Sequence, residues 1–246
     1  MLFYVLSIFS FVTLGLYTNG QFTLPLITCK RDSDDYSACL KHAVEEAWPR
    51  FYKGIPEIGF PSLNPLLYKY GKGIFDSGEI HAEVILINVT ATGLTESRFS
   101  DVRTNLLDND IFRLEIDVHV PKIHINGFVT TMGTLGPFRL KSKGPFNITA
   151  DDVIGTWNLI GPVLNDTWIV KNATYYPSVR KLQLYSDDLF DGNKELNDLI
   201  LAFVNEYWPP IYRAMLPTVI KLWDPWITDI ANTFFSKVSF SQLFPA

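Results

Sequence analysis

Serine, aspartate and histidine all occur in this 246-residue chain, which puts acyl transfer first among the chemistries to weigh. The G-x-S-x-G turn that exposes a nucleophilic serine is absent, and only His42, His81, His119 and His124 can serve as a general base. His42 falls on the polar side of a first helix. His81 and His119 fall among outward strand positions, and His124 sits where a strand changes phase. All four are read as surface or structural residues, and no catalytic residue is assigned. His119 and His124 stand five apart, on opposite faces of an ideal strand, so a two-histidine metal clamp fails unless a bulge between them turns one over. The run Asp187-Asp188-Leu189-Phe190-Asp191-Gly192 resembles a calcium loop, but Leu189 takes the third ligand position and Asp198 replaces the terminal glutamate. Asp191-Gly192-Asn193 is read instead as the turn and cap that launch a helix. Gly71-Lys72-Gly73 lacks the spacing of a phosphate loop. No metal, no cofactor and no enzymatic activity are expected.

Apolar surface is then the functional matter. The chain holds 18 Phe, 11 Tyr and 6 Trp. From 193 to 238 apolar residues recur every three or four positions, through Leu196, Leu199 or Ile200, Phe203, Tyr207, Ile211, Met215, Val219, Trp223, Ile227, Ile230 and Phe234. That period predicts one long amphipathic helix. Roughly 45 helical residues span about 65 Å, against about 45 Å for a compact sphere of this chain, so the body must be elongated with other elements wrapped along the stripe. Pro209, Pro210, Pro217 and Pro225 each remove a helical donor, which leaves kinks or a break into two pieces open.

The elements that wrap it are legible too. Asp34 and Asp35 can cap a first helix near Tyr36 with an inner face of Leu40, Ala43, Val44, Ala47 and Phe51, bent or shortened at Pro49. Residues 54–67, with Pro56, Pro61 and Pro65, form a connecting arm. In 111–120 the set Phe112, Leu114, Ile116, Val118 and Val120 alternates with polar residues, giving a strand with one buried face. Beyond Pro121 the apolar positions shift to Ile123 and Ile125, a slip of one that a β-bulge would absorb. Further strands are expected at 79–89, 128–132, 139–143, 156–160, 167–170 and 179–185, an antiparallel meander between two helices.

Residues 1–28 carry no charged side chain and 2–16 are nearly all apolar, which reads as a signal peptide over 1–20 with a mature chain of 21–246 in one domain. The apolar run is short for spanning a bilayer, and no second run follows. Cys29 and Cys39 are expected to pair in an oxidising compartment. Sequons at Asn88, Asn147, Asn165 and Asn172 fit a secreted glycoprotein and mark exposed positions. The net charge of −5 makes nucleic acid and anionic membranes poor partners.

Several pieces resemble the takeout and juvenile-hormone-binding family of insect secreted carriers. They are the pair Cys29 and Cys39 ahead of the first helix, Gly54-Ile55-Pro56-Glu57, Pro61-Ser62-Leu63-Asn64-Pro65-Leu66, and Pro121-Lys122-Ile123-His124-Ile125-Asn126-Gly127. Lys143-Gly144-Pro145-Phe146-Asn147, Leu189-Phe190-Asp191-Gly192-Asn193-Lys194-Glu195-Leu196, Phe203-Val204-Asn205-Glu206-Tyr207-Trp208 and Leu243-Phe244-Pro245 complete the order. The resemblance implies an α+β fold, the α/β-wrap (TULIP-like), in which a curved antiparallel sheet rolls around a long C-terminal helix and leaves an internal hydrophobic tunnel. The lack of cysteines for a second disulfide places the chain nearer the takeout branch. The expected function is extracellular carriage of a small hydrophobic ligand such as a terpenoid hormone, fatty acid, ester or odorant-like lipid, without stable membrane insertion and with a receptor left open. The expected lining is Phe112, Leu114, Ile116 and Val118 from the strand with Phe203, Tyr207, Ile211 and Met215 from the helix. A membrane-active lipid-binding protein and an esterase are the alternatives; the first calls for a basic tip, and no Lys/Arg cluster is visible in the sequence.

Overall fold

A computed structural model describes residues 26–190 and 192–246. The signal peptide expected over 1–20 lies outside the described residues, as does Asp191 of the expected turn. Helix α1 (Tyr36–Lys53) comes first, followed by strands β1 (Leu66–Ser77), β2 (Ile80–Thr92), β3 (Arg98–Leu107), β4 (Ile111–Leu135), β5 (Phe138–Leu164), β6 (Thr167–Trp168), β7 (Asn172–Tyr175) and β8 (Ser178–Ser186). Helices α2 (Lys194–Glu206), α3 (Trp208–Phe235) and the short α4 (Phe240–Leu243) close the chain.

The spine is the β4–β5 hairpin, paired in one unbroken register from Ile111↔Pro162 to Leu135↔Phe138 around the turn at Gly136-Pro137. At about 3.4 Å per residue, 25 residues trace roughly 85 Å, so the elongation argued from the helix is carried equally by the sheet. Strand β3 pairs with the first half of β4, β2 with the second half, and β1 with β2; β6, β7 and β8 pair with β5. All pairings are antiparallel and the sheet stays open.

The meander expected as many short strands is thus built around two very long ones, because interior glycines and prolines such as Gly127, Gly144, Gly155 and Pro162 sit within the ladder instead of ending it. Strands β1 and β3 have no counterpart in the sequence reading. The phase slip at Pro121 is real, but no single extra residue makes it. Val120↔Val153 and Lys122↔Asp151 keep the register constant, Asp152 adopts φ 49°, and both strands exchange faces together. In β5 the buried positions accordingly change from Phe146 and Ala150 to Val153 and Leu159.

Helix α1 continues through Pro49 to Lys53, with Asp35 at its N-cap making no side-chain cap bond. Leu40 and Ala47 are buried, and Ala43, Val44 and Phe51 pack on the core. Cys29 and Cys39 are joined with Cα atoms 5.8 Å apart. The C-terminal stripe is two helices, not one rod: Tyr207 leaves helical geometry (φ −105°, ψ 24°) directly before Pro209-Pro210. The two prolines occupy the first turn of α3, where their missing N–H groups have no intrahelical partner to lose. Asn193 caps α2 by accepting from the Leu196 amide at 3.1 Å. Pro217 and Pro225 remain inside α3 and face solvent.

Candidate functional site

Helix α3, 28 residues and about 42 Å long, crosses the inner side of the sheet and is fastened to both margins. On the β1 side Tyr68 packs on Trp226 with ring centroids 4.9 Å apart and donates to the Leu222 carbonyl at 3.4 Å. Gly73 meets Leu222 so closely that a Cβ there would stand 2.8 Å from its Cδ1. On the β7 side Asn232 accepts from the Val170 amide (2.9 Å) and donates to the Val170 carbonyl (2.7 Å), and the Thr228 hydroxyl accepts from the Ala173 amide (2.9 Å). Tyr212 donates to the Pro177 carbonyl at 2.7 Å. Burial pushes its phenol up to about 12 and raises Tyr175 further still, so both stay protonated and Tyr212 keeps its donor.

The inner face beneath α3 has two ends of different density. At the first, Phe112, Leu114, Val118 and Val120 are buried against Trp168, Phe240, Phe244, Phe99 and Val153. Phe112 alone meets Trp168, Phe240 and Phe244 at ring-centroid distances of 5.0, 4.8 and 4.7 Å. That end is filled with protein. At the other end, inner positions Val84, Leu86, Val129 and Leu140 are only half-buried. Tyr68 of β1 meets Trp226 and Gly73 meets Leu222, so α3 is met at earlier residues as β1 advances. Ile211, Met215 and Val219 of α3 are themselves half-buried, and the bond from Tyr212 to Pro177 sets the start of that stretch beside the 175–178 segment. An open depression of about 350 Å³ lined by Ile74, Phe75, Asp76, His81, Ala82 and Glu83 marks the less dense end of the molecule.

Two polar atoms of α3 are left without a partner. Trp223 Nε1 and Asp224 Oδ1 are shielded from solvent and have no hydrogen-bond partner among the described residues. Burial raises the Asp224 carboxyl above the usual carboxylate range. Sequence reasoning passed over Asp224; its signal was an acid on the apolar stripe of a helix.

Of the expected lining, Phe112, Leu114 and Val118 lie in the filled cores, while Ile116, Ile211 and Met215 are half-buried. Phe203 and Tyr207 are 48% and 54% exposed, stacked on each other at 5.0 Å on the surface. The strand residues are gathered together; the helix residues are not brought to them.

The histidines sit in outward pairs: His81 with Asp76 (2.5 Å), His119 with Asp152 (3.0 Å) and His124 with Thr149 (3.3 Å), while His42 is exposed on α1. Among the described residues no group of three or more His, Cys, Asp or Glu is placed to hold a metal ion. Arg103 bridges Asp101 (2.5 Å) and Asp117 (2.6 Å) across β3 and β4, and Thr156 donates to Asp117 (2.5 Å). Each of those carboxylates is engaged, so the constellation braces the sheet. The asparagines of all four sequons, Asn88, Asn147, Asn165 and Asn172, are exposed.

No described helix is long and apolar enough to cross a membrane. The chain is 21% identical to the circadian clock-controlled protein daywake of Drosophila melanogaster over 97% of its length and 94% of that protein's. It is 24% identical to a putative beta-carotene-binding protein of Schistocerca gregaria over 89% and 87% of the two chains. The crystal structure of Epiphyas postvittana Takeout 1 superposes with a TM-score of 0.68 at 21% identity, covering 90% of this chain and all of that one, which establishes the same fold. With the family model described as haemolymph juvenile hormone binding protein (JHBP) matching residues 6–245, the chain belongs to that family.

Proposed function

We propose that the protein is a secreted carrier that encloses a small hydrophobic ligand between α3 and the looser end of the inner sheet face, and that it performs no bond chemistry. One observation carries this reading: the same inner face is close-packed from Phe112 to Val120 yet only half-buried at Val84, Leu86 and Val129, and Ile211, Met215 and Val219 of α3 are half-buried as well. Apolar positions on both sides of one interior surface that stay incompletely covered are what a guest molecule would complete. Ile211 and Met215 remain in the proposed lining. The strand contribution moves from Phe112, Leu114 and Val118 to the β2 and β4 positions nearer the hairpin turn. The JHBP family and the relative named for beta-carotene support a ligand of this class.

Trp223 and Asp224 give the space a polar end. An unpaired buried group costs about 1–3 kcal/mol, and a ligand hydroxyl that accepts from the indole or donates to the carboxyl would recover it. A ligand burying roughly 400 Å² of apolar area gains about 10 kcal/mol, which leaves micromolar to nanomolar affinity after association costs. Secretion rests on the expected signal peptide over 1–20, the disulfide and the four exposed sequons.

The test is native mass spectrometry of protein purified from an animal or insect-cell source. A co-purified lipophile, displaced by excess long-chain alcohol, is the expected result. Protein that stays ligand-free and fails to take up a fluorescent fatty probe would remove the carrier reading. Turnover of a labelled ester, blocked by a serine-directed reagent, would replace it with an esterase.

A further inference from the structure

On the side of the sheet that faces α3, strand register lays two rows across the looser end. One runs Gly73, Val84, Thr131 and Ser142 from β1 through β2 and β4 to β5, and the next runs Gly71, Leu86, Val129 and Gly144. Directly opposed residues project to the same side, and the close approach of Leu222 to Gly73 identifies that side as the one under the helix. Thr131 and Ser142 are the only members of the two rows whose side chains carry a polar atom. Their hydroxyls stand side by side on an otherwise apolar surface.

Two independent features call for a guest at this spot. The first is an orphaned donor: Ser142 is 2% exposed, and its Oγ has no hydrogen-bond partner among the described residues. A hydroxyl left shielded and unpaired is costly, so the position suits a partner that the chain itself does not supply. The second is empty space. Gly144 is buried two positions further along β5 on the same side, yet a Cβ built there meets no atom within 4 Å. Gly71 and Gly73, in the same rows, are instead closely met by Tyr68 and Leu222. A solvent-shielded position with open room around it is a void, and close-packed interiors keep few of them.

We propose that Ser142 and the void at Gly144 form the seat for the oxygen-bearing end of the ligand, and that the ligand is a neutral long-chain lipid carrying a carbonyl. The Ser142 hydroxyl donates to the carbonyl oxygen, the end group fills the room over Gly144, and the chain lies along Val84, Leu86 and Val129. Thr131 sets a second hydroxyl directly opposite, with Cβ atoms about 5 Å apart, and a carbonyl oxygen has two lone pairs with which to accept from both. An ionised carboxylate also accepts, but its charge would be left against apolar side chains, which favours the neutral group. The proposal rests on the carrier reading and names the ligand class for it.

The test is displacement of the fluorescent fatty probe from the full-length secreted protein by a long-chain methyl ketone and by the alkane of the same chain length. In the parent the ketone is expected to displace at least about fivefold better. Ser142→Ala is expected to bring that ratio close to one without changing the alkane, and to raise the melting temperature of ligand-free protein because the orphaned hydroxyl is gone. Gly144→Val fills the void with a residue suited to a strand. It is expected to keep or raise the melting temperature while weakening probe uptake by about tenfold or more. Stability and uptake that move in opposite directions are not what a purely structural role gives. Equal displacement by ketone and alkane in the parent overturns the proposal while the carrier reading stands. So does a ratio that Ser142→Ala leaves unchanged, which would assign the hydroxyl to a buried water, and so does full uptake by folded Gly144→Val. Loss of the folded state in Gly144→Val would show the space to be filled and would overturn it too. A parent that takes up no probe removes the carrier reading and this seat together.

Discussion

Asp224 and Asp117 are carboxylates of opposite character. Asp117 accepts from Arg103 and Thr156, and those bonds hold its carboxyl below the usual range, with the Arg103 guanidinium as the larger cause. The stabilisation is therefore complete above the unfolded carboxylate pKa of about 4 and is lost as pH falls through the lower folded value. Asp117→Asn is expected to lower the urea midpoint at neutral pH and to converge with the parent only once pH falls through the depressed folded value, read by denaturation at several pH values. Asp224 runs the other way. Burial raises its carboxyl, so stability declines as pH rises from the unfolded carboxylate value through the raised folded one. Asp224→Asn is expected to raise the melting temperature of ligand-free protein at neutral pH, with the difference vanishing below about pH 4. The same substitution should reduce the preference for a long-chain alcohol over its methyl ether, measured by probe displacement, and an unchanged preference would detach Asp224 from the ligand. The sequence displayed both acids equally; what separates them is whether a neighbouring strand brings an arginine or nothing.

At the scale of elements, α3 is held by its two margins. Asn232→Ala would strand both backbone groups of Val170, which is 1% exposed, and is expected to cost about 2–3 kcal/mol in equilibrium unfolding. Gly73→Val would drive side-chain atoms into Leu222 and lever the helix off β1. About 1–3 kcal/mol of destabilisation is expected, with probe uptake weakened more than by Ile74→Val on the outward side of the same strand. The helical period of the C-terminal stripe was readable because α3 buries one stripe along its length. Its break at Tyr207 was readable only as an open possibility, since four prolines in that stretch each offer a place to break and the choice fell where two sit together at a helix start. Strands β1 and β3 left no clear alternation: β1 uses Gly71 and Gly73 on its buried side, where glycine fits the close approach of α3 and carries no hydropathy signal.

Across the whole molecule, function follows from packing density being sorted between the two ends of one long sheet. One end is filled by α1, α4 and the 167–175 segment against Phe112 to Val120; the other, flanked by α2 through its bonds to β8, leaves Val84, Leu86 and Val129 half-buried inside and Tyr70, Ile74, Phe128 and Met132 exposed outside. The sequence by itself determined the classes of element, their order, the disulfide between Cys29 and Cys39, the outward setting of the histidines and the extended build, because each depends on local period or on residue type. Only the tertiary structure decided which apolar strand faces meet other apolar faces, so Phe112 and Leu114 became core while Val84 and Leu86 stayed half-covered. It also decided that Arg103 of β3 meets Asp117 of β4 and that Tyr70 and Phe128 share one exposed face. Packing density and cross-strand neighbours join residues tens of positions apart, and no window of sequence contains both partners.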